Sequence, residues 1–265
     1  MAQQIIDTVT DHGTYKGDPA KISFTKANEN FSELYGFKVS KGYIEGLTIE
    51  YVSPNSIRVT AGAAYIPSLD RVLEMSSAIT KSGLSLTASA WHRVYLHLNG
   101  STPDIEIATT APAAPYNGTA RTKAGDSSRR YLGAFKTDSS GAIIGFDSLP
   151  GGLRLYRISS ASFGNFQILN GGTSTSPVDL DCSAYIPATS QLGYFQLQIN
   201  AGSLTNMMPS GVTASAVADL VVTRGASIGL CVGACRIGNA QKVAYQANDT
   251  SSTTYVWIKG YYEDR

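Results

Sequence analysis

The stretch RVYLHLNGSTPDIEIAT, residues 93–109, alternates on either side of a short break. Val94, Leu96 and Leu98 point one way, and Arg93, Tyr95 and His97 point the other. Asn99-Gly100 opens a turn, because Asn and Gly tolerate the positive φ angles of a tight hairpin. Ile105 and Ile107 line the returning strand. A period of two residues does not suit a helix, so this segment reads as a β-hairpin with one face committed to a core.

The same punctuation extends both ways along the chain. Upstream, SIRVTAGAAYIP (residues 56–67) sets Ile57, Val59 and Ala61 on one face of a strand. Downstream, a loop rich in Ala, Pro and Gly runs from Ala111 to Gly125, and RRYLGAF and GAIIGF follow as two short strands. LPGG, at Leu149 to Gly152, interrupts any regular element and marks a seam. Beyond it come LRLYRIS, NFQIL, VDLDC, YFQLQIN, DLVVTRG, SIGLCVG, KVAYQAN and TYVWIKGYY. These short segments, parted by Gly, Ser, Thr or Asn, predict a sandwich or jelly roll of roughly eight strands. The absence of a fixed-period repeat argues against a solenoid or propeller.

One segment breaks the β pattern. GDPAKISFTKANENFSELYG, residues 17–36, reads as a capped helix. Asp18 is the expected N-cap, Pro19 sits where its missing N–H costs nothing, and Gly36 can turn left-handed to end the helix. Ala20, Phe24, Ala27, Phe31 and Leu34 recur at steps of four, three, four and three, the spacing of a coiled-coil seam. Burying Phe24, Phe31 and Leu34 contributes on the order of 1.5–3 kcal/mol each, given a partner surface. That surface is either the chain's own β-structure, further copies of the helix, or a socket on another protein.

The expected class is therefore mainly β: a short N-terminal helix segment (residues 1–40), a small antiparallel β-domain (41–150) and a C-terminal jelly-roll-like β-sandwich (151–265). Charged residues make up only 15% of the chain, against about 25% in ordinary globular domains, so Ser, Thr, Gly, Asn and Gln must cover the surface. The net charge of +1, with Arg129-Arg130 the nearest thing to a basic cluster, argues against a nucleic-acid partner. No run approaches the roughly 20 apolar residues of a membrane span, so no membrane insertion is expected. MAQQIIDTVTDHG lacks the charged and apolar regions of a secretory signal.

Motifs for chemistry are sparse. There is no G-x-S-x-G elbow, no phosphate-cradling Gly loop and no H-E-x-x-H. His97 stands where Glu106 or Asp104 could meet it across the ladder, which a surface pair explains without catalysis. Asp179 and Asp181 could ligate calcium, but a lone D-x-D is short of oxygen ligands. Cys182, Cys231 and Cys235 read as small buried hydrophobes. Trp91 and Trp257 are expected to fill cores. No catalytic, metal or cofactor site is assigned; a glycosidase's two carboxylates could still converge from distant positions.

Gly17-Asp18, Lys21, Phe24, Lys26, Asn28, Asn30-Phe31 and Glu33-Leu34-Tyr35 together resemble the N-terminal signature of bacteriophage tail and tail-fibre proteins. There a Gly-Asp pair and a basic residue precede a K-x-N-x-N-F-x-E-L-Y helix; this chain differs in Pro19 and in Lys21, where Arg is usual. SIRVTAGAAYIP, WHRVYLHL and APYNGTARTKAGDSSRRYLGAF look like a β-module of phage fibres and baseplate-associated proteins. SPVDLDCSAYIPATS (residues 176–190) is similar to the start of a terminal fibre sandwich that closes on a G-Y segment, as Gly260-Tyr261 does here.

The resemblance implies a homotrimeric virion protein of the phage tail, made in the host cytoplasm, with no enzymatic activity and no cofactor. Ala20, Phe24, Ala27, Asn28, Asn30, Phe31, Leu34 and Tyr35 would form its attachment and oligomerisation helix, joined to other tail or baseplate proteins. The C-terminal sandwich would meet a host surface glycan or protein through residues the sequence leaves unnamed. Two rivals stand beside this reading: a structural baseplate, collar or head-fibre protein without host contact, and a small polysaccharide depolymerase.

Overall fold

Ala20–Gly36 forms α1, the α-helix found among the described residues of this computed structural model. Those residues are 5–36, 39–200, 204–212, 218–223 and 228–265, with the side chains of 31–36 outside the description. The helix starts just after Pro19, as the sequence predicts, but Asp18 does not cap it. Its Oδ2 accepts the backbone N–H of Asp7 at 2.9 Å and Nζ of Lys26 at 2.6 Å. The chain ahead of the helix folds back, and a second backbone bond from Asp18 N–H to Asp7 C=O closes the clasp. Gly17 makes this approach possible: at φ +76°, an added Cβ would lie 2.5 Å from the Asp7 carbonyl. Helix and clasp belong to one unit, Met1–Ser40, and the β-structure to another, Lys41–Arg265.

Among the described residues, the second unit holds five antiparallel sheets. β1 (Ile44–Gly46), β4 (Gly62–Ile66) and β5 (Arg71–Met75) run in the order β1-β4-β5, and β2 (Ile49–Ser53), β3 (Ser56–Val59) and β6 (Ile79–Lys81) in the order β2-β3-β6. A third sheet has β8 (Thr102–Ala108), β7 (Trp91–Asn99), β10 (Asp126–Lys136) and β9 (Thr122–Lys123) in that order. The fourth runs β11 (Phe146–Ser148), β12 (Leu153–Tyr156), β20 (Thr254–Tyr262), β15 (Leu192–Ile199) and β18 (Gly229–Arg236), with β13 (Gln167–Gly172) also paired to β20. The fifth runs β14 (Val178–Asp181), β19 (Lys242–Ala247), β16 (Leu204–Pro209) and β17 (Leu220–Thr223).

The last two sheets share one sandwich-like core. Phe195, Leu197 and Ile199 of β15, with Val256 and Ile258 of β20, belong to the same buried cluster as Met207, Val222, Val243 and Tyr245 of the fifth sheet. The alternation is clean along β15, where every second residue is buried. The same cluster continues through Val94, Leu96, Leu132 and Phe135 to Ile57 and Val59. LPGG supplies the turn of the β11–β12 hairpin, where Gly151 and Gly152 both take positive φ.

The hairpin of residues 93–109 forms as read, with Asn99 paired to Thr102 across the turn. Its second face is not simply polar: Tyr95 is fully buried against Tyr131 and Ala134 in a small separate cluster. SIRVTAGAAYIP is two strands rather than one. Ile57 and Val59 are buried on β3, but Ala61 is exposed at the crossing to β4 in another sheet. Gly62 permits that crossing, since a Cβ there would sit 2.2 Å from the Glu45 carbonyl. GAIIGF is not a strand of its own either: Ile143 makes an isolated bridge to Thr137, and Phe146 opens β11. β16, LTNMMP, is a strand that sequence reading passed over.

Candidate functional site

Along α1 the expected attachment residues fall on a helix whose apolar seam is open at Ala20 and Phe24 and partly covered at Ala27. Ala20, Phe24 and Asn28 are exposed, Phe24 at 70%, while Ala27 and Asn30 are half-buried. The side chains of Phe31, Leu34 and Tyr35 lie outside the described residues. An aromatic ring left this open forgoes burial that a partner could supply.

Within the β unit, a groove of about 620 Å³ opens where β10 ends and β12 has just finished. Its polar lining includes Lys136, Asp138, Arg157 and Asn165, and its apolar wall carries Phe166 and Tyr185. These residues come from four separate stretches that pairing and packing bring together. Lys136, the last residue of β10, donates through Nζ to the Ser89 carbonyl at 2.9 Å and lies 5.6 Å from the Trp91 ring centre. Burial, then the nearby Arg93 charge, push its ammonium below the ordinary lysine value.

Arg157 lies beyond β12, with its guanidinium 5.1 Å from the Tyr51 ring centre. Its Nε and Nη2 both donate to Asp147 Oδ1, at 2.9 and 2.7 Å. Asp138 turns its Oδ1 back on its own loop, accepting the Ser140 N–H at 2.8 Å, the Ser140 hydroxyl at 2.7 Å and the Ala142 N–H at 3.0 Å. Behind them Phe166 and Tyr185 pack with ring centres 4.6 Å apart, and Tyr156 closes the cluster. The result is a concave surface with cationic donors at one side, hydroxyl and amide groups along it, and an aromatic wall. It suits a polar ligand that also has an apolar face.

The other residues singled out from sequence have structural partners. His97 lies opposite Asp104 in register, but its Nδ1 lies 3.0 Å from the Leu98 carbonyl; Asp104 pairs with Lys81 and Glu106 with Lys123 and Arg129. His92 is buried flat against Phe135, and burial lowers its pKa, so it is a neutral core imidazole at pH 7. Arg129 and Arg130 part company: the first faces Glu106 and Asp126, and the second is fully buried below Tyr116. Asp181 accepts the Ser183 N–H, and no group of three metal-ligating side chains occurs among the described residues. Cys182 and Cys235 are buried, Cys231 is half-buried, and burial pushes the Cys182 thiol up to about 12. Trp257 is nearly closed off between Phe163 and Tyr255, and Trp91 meets Tyr261 edge-on.

Two carboxylates do converge from distant positions. Glu45 and Glu74 flank Ala63 across β1, β4 and β5 and line a second cavity of about 690 Å³. Both are exposed to water rather than set in the apolar surroundings that turn a carboxyl into a general acid. Sequence reading found neither this pair nor the Lys136–Arg157 groove, because no local spacing signals residues that meet only through sheet topology. No helix among the described residues is long and apolar enough to cross a membrane. No protein-family model matches the chain, and no curated protein matches it.

Proposed function

We propose that this chain is a bacteriophage tail-fibre or receptor-binding protein, acting in the virion as a homotrimer without enzymatic activity. The observation that carries the reading is Phe24: the centre of the Gly-Asp and K-x-N-x-N-F-x-E-L-Y signature stands 70% exposed on its helix. In this reading residues 1–40 attach the protein to another tail or baseplate component and help bring three copies together. The β unit then meets a host surface glycan or protein. Three linked sites turn weak single contacts into firm attachment, with roughly 10²–10⁴ gained in avidity.

The test joins native molar mass by light scattering to adhesion of the fluorescently labelled full chain to candidate host cells. Three chains per particle that decorate cells support the reading. A monomer would overturn the trimer. A stable trimer that binds a tail protein but no host strain of a broad panel would overturn receptor binding and leave a structural role.

A further inference from the structure

Lys136 and Arg157 set the chemical bias of their groove. Lys136 enters no ion pair among the described residues, and one of its three N–H bonds goes to the Ser89 carbonyl. The guanidinium of Arg157 keeps Nη1 beyond the two donors held by Asp147. The carboxylate in the lining, Asp138, is turned into its own loop by three donated bonds. Arg157 is thus paired to Asp147, which is outside the lining, and Asp138 holds its charge toward its own loop, which leaves Lys136 as the cation of the lining with no carboxylate partner among the described residues. Arg93 adds a further positive field at Lys136. An entering anion relieves that like-charge repulsion, whereas a neutral ligand leaves it in place.

The opposite wall is aromatic. Tyr185, half-buried and backed by the buried Phe166, offers ring surface beside the hydroxyl of Ser162 and the amide of Asn165. Ring faces with flanking hydroxyl and amide groups match the mixed polar and apolar faces of a pyranose. A volume of about 620 Å³ falls within the usual range of about 300–1,000 Å³ for small-ligand sites.

We infer that this groove binds an anionic sugar residue, with its carboxylate or phosphate at Lys136 and Arg157 and its ring toward Tyr185. The inference deepens the receptor-binding reading and rests on it for biological meaning, but not for the binding itself. Carboxylate and phosphate share the chemistry that the two cations recognise, and they differ in charge and donor demand.

The experiment titrates full-length protein with glucuronate, glucose 6-phosphate and glucose by ligand-observed NMR. Wild type, Lys136→Gln, Lys136→Arg and a Lys41→Gln control, at an exposed lysine outside the groove lining, are compared. The expected result is binding of at least one anionic sugar about tenfold or more tighter than glucose. That preference is lost in K136Q, kept in K136R and K41Q, and weakened by added salt. Stronger binding of glucuronate identifies a carboxylate site, and of glucose 6-phosphate a phosphate site. Equal binding of glucose, no binding of either anion, or full binding by K136Q overturns the assignment. A melting midpoint of K136Q matching wild type separates lost recognition from lost fold. Cell adhesion is scored in parallel. K136Q that still adheres removes the groove but spares the adhesin, whereas wild type that takes anionic sugars yet adheres to no host removes the adhesin but spares the groove.

Discussion

Nη1 of Arg154 lies 3.4 Å from Oε2 of Glu263, and both side chains are closed to solvent. Arg154 comes from β12 and Glu263 follows β20, so the pair joins two neighbouring strands of the largest sheet. It also reaches into β10: Glu263 accepts the Tyr131 hydroxyl at 2.8 Å and the Ala134 N–H at 3.0 Å, and Arg154 donates to the Ala134 carbonyl. Tyr261 donates to that same carbonyl at 2.7 Å. The network therefore binds the hairpin-bearing sheet to the sandwich with satisfied donors and acceptors.

Removing one partner leaves a buried charge without its counterion, which typically costs about 3–5 kcal/mol. Glu263→Gln is expected to lower stability on that scale, measured as the shift of a urea midpoint at constant slope. An apolar double replacement, Arg154→Met with Glu263→Leu, is expected to recover much of the loss. A single variant within about 0.5 kcal/mol of wild type would show that the pair is not uncompensated when broken.

Gly260 pairs with Leu155 where β20 meets β12, and a Cβ there would stand 2.0 Å from the Arg154 carbonyl. Backbone cannot swing aside as a flexible side chain can. Gly260→Ala is expected to give little soluble, cooperatively melting protein. Gly164→Ala is the control, since its Cβ meets nothing within 4 Å, and it should melt with wild type. Similar melting of both variants would contradict the close strand approach.

Asp138 carries a pH dependence of known sign. The bond from the Ser140 hydroxyl, together with backbone N–H bonds from Ser140, Ala142 and Gly141, outweighs burial and holds its carboxyl below the ordinary value of 3.8. A depressed folded-state value stabilises the fold above the unfolded value, and this contribution is lost as pH falls through the folded one. Asp138→Asn should therefore be less stable than wild type at pH 7, with the gap closing at pH 2–3. Urea melts at the two pH values measure it; a constant gap would show that the carboxylate charge contributes nothing.

The N-terminal clasp is testable apart from the β unit. Asp18→Ala removes the acceptor for the Asp7 N–H and the partner of Lys26, while leaving α1 its own backbone bonds. Faster exchange of the Asp7 amide and quicker tryptic cleavage after Lys16 are the expected outcomes. Gly17→Ala should behave alike, because its Cβ would displace the Asp7 carbonyl. Unchanged exchange in both variants would mean that the segment ahead of the helix is held by something other than Asp18.

The helix at Ala20–Gly36 and the hairpin of residues 93–109 were legible in the sequence because both are set by local period and by turn chemistry. The split of SIRVTAGAAYIP was not, since Ile57 and Tyr65 go to different sheets and no local signal marks a crossing. Nor could alternation reveal that Tyr95 is buried on the face opposite Val94, because two cores flank β7 and only three-dimensional packing supplies the second. The Arg129-Arg130 dipeptide shows the same limit: adjacent residues on a strand face opposite ways, and only the sheet's surroundings make one an ion-pair partner of Glu106 and the other a buried cation. Sequence by itself thus determined the β class and the elements with a strong local period, α1 and the β7–β8 hairpin. Tertiary structure alone decided which polar residues come together, Lys136 and Arg157 in the lining of one groove and Arg154 against Glu263, because strand order and register, not spacing along the chain, set those encounters.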